Sequence, residues 1–193
     1  VNGTSTTFRG MKVDCTCNDG LSIFSTAHTS ATGNAEPQSN KFSNEFDEDA
    51  LGLVETAMQN FYDDNGEVLT VSPDTIIIAN DAAMKKKVFA AIGADKDPNT
   101  SNNAFNYVFG RWNVITSPYL NGLPKGAWIL EDSKFNDNYN GLIWFDRIPL
   151  TVSSYIDENT DNNVWKGRSR FVAGCNDWRG IAVAGVAGGT TLE

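Results

Sequence analysis

Residues 47–93, DEDALGLVETAMQNFYDDNGEVLTVSPDTIIIANDAAMKKKVFAAIG, decide how the rest of the chain reads. Asp47, Glu48 and Asp49 suit the positive end of a helix dipole. Ala50, Leu51, Val54, Ala57, Met58 and Phe61 then recur at the three-and-four spacing of one buried helix face, predicting a helix over 47–62. Asp63-Asp64-Asn65-Gly66 ends it, because Asn and Gly accept the left-handed backbone that a tight turn needs. Thr75-Ile76-Ile77-Ile78-Ala79 is a short β-branched run that fits a strand covered on both faces. Asn80 or Asp81 caps a second helix that turns Met84, Val88, Ala91 and Ile92 inward and leaves at Gly93. Helix, strand and helix in so short a span make this the nucleus of an α+β domain.

The 193 residues can form one full-sized domain or two small lobes. A formal charge of −9 argues against a nucleic-acid clamp and against adhesion to anionic membranes. No apolar run is long enough to span a bilayer, and no signal-peptide pattern is present. Val1 is not an initiator Met and Leu192-Glu193 reads as a cloning scar, so the chain is expected to be a fragment of a longer protein. The three Cys are an odd number. Cys15 and Cys17 would face one side of an extended segment, as half of a zinc site would, but Cys175 and His28 stand alone, so free thiols in a reducing cytosol are expected.

Outside the nucleus, residues 1–20 alternate weakly as an extended arm or hairpin closed by the turn Asn18-Asp19-Gly20. Residues 25–44 are polar and read as a long surface loop, and 94–104 as another. Strands are predicted at 112–116, 127–130, 142–145, 150–156, 165–173 and 181–184, with a turn-rich link at 117–126. The strand at 165–173 places Lys166, Arg168 and Arg170 on one side.

Catalytic chemistry finds little footing. A nucleophilic triad needs a positioned base, and the single His, His28, lies in a polar loop where solvation is expected. Residues 185–191 are Gly-rich but lack the Lys of a phosphate loop, and a frayed terminus is expected. Asn136-x-Asn138-x-Asn140-Gly141 and Asp157-x-Asn159-x-Asp161 copy the first half of a calcium loop. Arg147 and Arg168 occupy the twelfth positions, so both are expected to be turns whose side chains bond their own backbone. Carboxylate pairs for glycoside chemistry have no sequence signature; the acidic run 45–49 reads as a helix start and Lys85, Lys86 and Lys87 as a wet helix face. The five Trp (Trp112, Trp128, Trp144, Trp165 and Trp178) lie on or beside predicted strands, which favours core and interface roles over a sugar platform.

Residues 19–28 (Asp19-Gly20-Leu21-Ser22-Ile23-Phe24-Ser25-Thr26-Ala27-His28), the polar loop ending at Gln38-Ser39-Asn40 and the acid-capped helix resemble the Mu-like major head subunit family of tailed bacteriophages. The resemblance continues through 73–78, 109–120 (Phe109-Gly110-Arg111-Trp112-Asn113 onward) and 127–130, and closes at Asp177-Trp178-Arg179-Gly180. It implies the Hong Kong 97-type capsid fold, α+β, with helices packed on mixed and antiparallel sheets. On that basis 1–46 is an extended arm and polar loop, 47–72 a helix and turn of the peripheral (P) domain, 73–145 mainly the axial (A) domain and 146–191 strands returning to the P domain. The family's N-terminal arm, extended loop and spine helix would precede residue 1, so this chain alone is expected to be monomeric or weakly associated. The implied function is that of a capsid protein of a phage or prophage, not an enzyme, without cofactors, with copies of itself as partner and scaffold, portal or cement proteins as further partners. Neither a specific nucleic acid nor a membrane is implied. The setting is the virion, and the host cytoplasm during assembly. Subunit contacts are expected at the tip loops, at Asp97, Asn99, Asn102, Asn121, Leu123 and Lys125. An encapsulin-like compartment shell would share the fold. A carbohydrate-binding module, the reading from another class, would explain the Trp, Asn and Asp richness, while the odd Cys count and lack of a signal peptide oppose it.

Overall fold

The computed structural model describes residues 3–8, 10–30, 32–33, 36–93, 95 and 105–192. Of the expected contact residues, Asp97, Asn99 and Asn102 lie outside the described residues.

The nucleus folds as its pattern dictates. Helix α1 (Glu48–Gln59) is capped by Asp47, whose carboxylate accepts from the Ala50 amide at 2.6 Å. It buries Leu51, Val54 and Met58. The exit turn is held by Asp63, whose side chain accepts from the amides of Asn65 and Glu67, with Gly66 at φ 89°. Those amides, Glu67's first, hold the Asp63 carboxyl below the usual carboxylate range. Helix α2 (Ala82–Ile92) is capped by Asp81 and buries Met84, Val88 and Ile92.

Between the helices runs the central strand of a four-stranded mixed sheet. Numbering the strands along the chain, β1 is Ser5–Phe8, β2 Met11–Asp14, β3 Thr75–Ala79, β4 Asn113–Ser117, β5 Trp128–Glu131, β6 Leu142–Asp157, β7 Asn162–Cys175 and β8 Ile181–Ala184. The sheet order is β4-β3-β5-β8; β3 and β4 run parallel and the other pairs antiparallel. Alternation sorts the side chains cleanly. Ile76, Ile78, Trp128, Leu130, Ala182 and Ala184 face the two helices in the larger core. Ile129, Ile181 and Val183 face the other way into a smaller cluster that Ile77, Leu120 and Leu123 join. Burial on both faces is why β3 and β8 read as unbroken apolar runs.

Three expectations need correction here. Residues 25–44 are not a surface loop throughout, because His28, Asn40 and Phe42 are buried. The segment around Lys41 and Phe42 bridges β8 and Thr190 and covers what would be an open sheet edge. By the same pairing the Gly-rich end is not frayed: Ser43 and Thr191 share a hydroxyl hydrogen bond, and Asn44 exchanges two with Leu192. Asn136 and Asn138 lie in a helix, α3 (Ser133–Tyr139), rather than in a turn. Asp132 caps it, accepting from Phe135, and Asn140 in the left-handed conformation ends it.

The strands expected at 142–145 and 150–156 are one strand, β6, paired antiparallel with β7 along its whole length. β6 has 16 residues to the 14 of β7, and two register shifts, between Asp146 and Ile148 and between Ile148 and Thr151, take up the difference. The intervening turn is closed by Asp157, whose carboxylate accepts from the Asn159 amide and the Thr160 hydroxyl, as its Asx chemistry predicts.

Candidate functional site

Two features stand apart from ordinary packing: a buried polar knot and the β6–β7 ribbon rooted beside it.

The knot gathers residues that the sequence scatters. Asn40 is fully buried. Its amide donates to the carbonyls of Ile23 at 2.7 Å and Ile181 at 3.0 Å, and its Oδ1 accepts from the Ser25 amide at 2.9 Å. That orientation makes Oδ1 an acceptor for His28 Nε2, 3.1 Å away, while Asp19 Oδ2 lies 2.5 Å from Nδ1. Both ring nitrogens therefore face side-chain oxygens, one of Asp19 and one of Asn40. The ring stacks on Trp178 with centroids 4.1 Å apart and planes at 5°, and Phe61 meets Trp178 edge-on. The solvated loop histidine expected from the sequence is instead 1% exposed.

Arg179 completes the knot. Buried to all but 5%, it donates from Nε to the Tyr62 carbonyl at 3.0 Å and from a guanidinium nitrogen to Asp64 at 2.7 Å, and it pairs with Asp177 at 3.3 Å. Gly180 follows because α3 packs there. A Cβ at Gly180 would stand 2.6 Å from Asn136 Oδ1 and 2.8 Å from Phe135. The motif Asp177-Trp178-Arg179-Gly180 is thus a clamp between the turn after α1, the His28 segment and α3.

Cys17 and Cys175 form a disulfide across 158 positions of sequence, leaving Cys15 free. The expectation of three free thiols is overturned, and Cys17 is no longer available to a metal. The bond fastens the end of β7 to the segment after β2. Beside it a groove of about 510 Å³ runs between Val13, Ile23, Leu142, Trp144 and Ala173.

Beyond that root the ribbon is bare. β6 and β7 pair only with each other, as a two-stranded sheet. The register puts Trp144, Val152, Ile156, Trp165 and Phe171 on one face, with Trp144 and Phe171 stacked at 4.4 Å. The opposite face carries Lys166, Arg168 and Arg170 with Phe145 and Tyr155, so the expected one-sided basic row is present. Trp165 is 73% exposed and Trp144 60%, whereas Trp128 and Trp178 are core. Of the other expected contacts, Asn121 and Lys125 are exposed, and Leu123 packs partly into the smaller cluster. These three lie in the 117–126 link and are not brought to the ribbon by any described contact.

Several other ionisable groups are held by contacts within the fold. Burial opposes ionisation of Asp74, but hydrogen bonds from the Ser133 hydroxyl and amide and from Thr75 outweigh it and hold its carboxyl low. Burial pushes the neighbouring Glu131 carboxyl up. Glu55, buried on α1, is paired with Arg111. Among the described residues no three His, Cys, Asp or Glu side chains are placed to hold a metal ion. No described helix is long and apolar enough to cross a membrane.

The fold thus sets a helix-packed mixed sheet and a buried polar knot beside a ribbon that presents apolar side chains to solvent. The sequence model of the phage capsid protein family matches residues 18–184, and the chain belongs to that family. It is a structural protein of the phage capsid. None of the curated proteins matches the chain as a relative.

Neither the knot nor the ribbon was identified from sequence. Asp19, His28, Asn40 and Trp178 carry no mutual spacing. The ribbon had one legible sign, alternating runs on both sides of the Asp157 turn.

Proposed function

We propose that this chain belongs to the major head subunit of a tailed phage or prophage and that it builds an icosahedral shell by self-assembly. The observation that carries the reading is the extent of the family match, which takes in the helical nucleus, the mixed sheet and the ribbon alike. The helix-flanked mixed sheet also fits the Hong Kong 97-type fold. Within it, residues 47–72 serve in the P domain, 73–145 mainly in the A domain and 146–191 in the strands that return to P. Residues 1–46 form the arm and loop that lead in.

Copies of the chain are its main partners, and scaffold, portal and cement proteins act on the assembled surface. Assembly takes place in the host cytoplasm. Asn121, Leu123 and Lys125, together with Asp97, Asn99 and Asn102, supply contacts between subunits. A wall protein with a charge of −9 also avoids gripping packaged nucleic acid. The test is electron microscopy of the full-length protein, expressed alone and with its scaffold. Closed shells or capsomers are expected, and neither appearing under either condition refutes the reading.

A further inference from the structure

We propose that the β6–β7 ribbon is an assembly arm whose shaft docks on the acidic body of a second copy of this chain, an inference that rests on the capsid reading above.

The first argument is that the ribbon is unsupported. A two-stranded hairpin without a third strand or a packed helix is marginally stable in water. This one pairs over thirteen facing positions, from Leu142 and Cys175 at the root to Asp157 and Asn162 at the turn. It nevertheless exposes large apolar side chains along its length, including Leu150 at 70%, Val152 and Ile156 at 62% and Trp165 at 73%. Isolated apolar residues on a surface need no explanation, but a contiguous run of them marks a surface built to be covered.

Charge identifies the cover. The shaft, residues 142–156 and 162–175, carries Arg147, Lys166, Arg168 and Arg170 against the single acid Asp146, a net of +3. Asp157, Glu158 and Asp161 give the turn −3, so the ribbon as a whole is neutral and the rest of the chain holds all of the −9. The ribbon face that carries Lys166, Arg168 and Arg170 together with Phe145 and Tyr155 is complementary to the acidic body of another copy, and charge attraction there adds to burial of those two rings. The same field repels one acidic body from another, so copies meet through the arm.

Dimensions set the strength. At about 3.3 Å per residue the ribbon is about 50 Å long, and each face of a two-stranded ribbon offers roughly 500 Å². A stable pairwise interface buries about 800 Å² on each partner. One docked face therefore gives a weak contact in an isolated pair, and many such contacts close a shell cooperatively. The disulfide at the root, Cys17–Cys175, fixes the end from which the arm extends.

The test uses two variants whose changes all lie in exposed side chains of that one face: Lys166→Glu with Arg168→Glu and Arg170→Glu, and Phe145→Ser with Tyr155→Ser. Sedimentation velocity is followed from micromolar to submillimolar protein at low and high salt. Equal amounts of isotopically heavy and light chain are cross-linked in parallel. The parent is expected to self-associate weakly, less so at high salt, with heavy-to-light cross-links joining ribbon to body. Both variants should associate about tenfold more weakly or worse. The charge-reversed variant carries −3 on the shaft in place of +3, so any residual association should strengthen with salt, and near-ultraviolet circular dichroism of the buried Trp128 and Trp178 should be unchanged in both. Variants that associate as the parent does overturn the arm and leave the capsid reading intact. A parent that stays monomeric and gives no heavy-to-light cross-link also overturns the arm, because the shaft then has no affinity for a second body. The capsid reading stands or falls separately, on whether the full-length protein forms shells.

Discussion

Breaking the Cys17–Cys175 bond removes a constraint whose size follows from the sequence separation. Closing a loop of 158 residues lowers the chain entropy of the unfolded state by an amount worth about 5 kcal/mol at 25 °C. Measured disulfides commonly reach about half to all of such a figure, so the expected loss is about 2–5 kcal/mol. With an unfolding entropy of about 2 cal/mol/K per residue, a chain of 193 residues should lose about 5–12 °C in Tm. The assay is differential scanning calorimetry of the oxidised chain, the same chain under reductant and the Cys175→Ser variant. Thiol titration of the unfolded, unreduced chain should find one reactive group, Cys15, and reduction should expose two more. Because both cysteines sit at the ribbon root and in the segment after β2, reduction should first raise amide exchange there and leave β3 and β5 protected. Three reactive thiols before reduction, or a Tm shift under about 2 °C, would show that the bond does not hold these segments together.

Other perturbations follow from the same contacts. Arg179→Ala strands Asp64, Asp177 and the Tyr62 carbonyl around an empty site and should cost about 3 kcal/mol by urea denaturation, with Arg179→Lys recovering only part, since a single ammonium cannot span three acceptors. Trp178→Ala removes the ring that His28 and Phe61 pack on and should cost about 3–5 kcal/mol, whereas Trp165→Ala, mostly exposed, should change thermal stability by well under 1 kcal/mol. Glu131→Gln should raise stability at neutral pH and leave it unchanged in acid. The folded state holds this carboxyl above its ordinary value, so its contribution is full at low pH and is lost as pH rises through the raised value. A pH series of denaturation curves that stays parallel for the two proteins refutes that account. Gly180→Ala should destabilise by about 1–3 kcal/mol through its clash with Asn136 and Phe135, and a rise in Tm would show that α3 can yield.

Local chemistry was legible and distant chemistry was not. The acidic start at Asp47, Glu48 and Asp49 and a cap at Asn80 or Asp81 were legible because a cap bonds an amide three residues on, and the fold uses Asp47 and Asp81. β3 and β8 could be placed to the residue because burial on both faces leaves an apolar run with no alternation to misread. The ribbon reads from sequence as two strands, 142–145 and 150–156, and between them lies Pro149, a residue that cannot donate to a continuous ladder. It is tolerated where the register shifts between Ile148 and Thr151, where pairing is already interrupted. His28 defeated the sequence reading for another reason. Its partners lie 9, 12 and 150 positions away, and a lone histidine among Ser, Thr and Ala looks solvated until the fold supplies Asp19, Asn40 and Trp178.

The knot and the arm are coupled by where they sit. The chain leaves β7 at Cys175 and enters the Asp177-Trp178-Arg179-Gly180 clamp within two residues, so the disulfide and the Arg179 ion pairs hold the same short segment near its two ends. A ribbon about 50 Å long acts as a lever, and an angular error at its root is multiplied at its tip. Side chains that hydrogen-bond in several directions at once, as Asn40 and Arg179 do, fix an angle where apolar packing alone would let neighbouring segments slide. The expense of burying charge at this point is therefore understandable as the means of aiming an arm. Substitutions in the knot that leave the body folded should spread the directions in which the ribbon points. Electron paramagnetic resonance distances between spin labels at the ribbon tip and on α1 should broaden in Arg179→Lys relative to the parent, and an unchanged distribution would separate the knot from the arm.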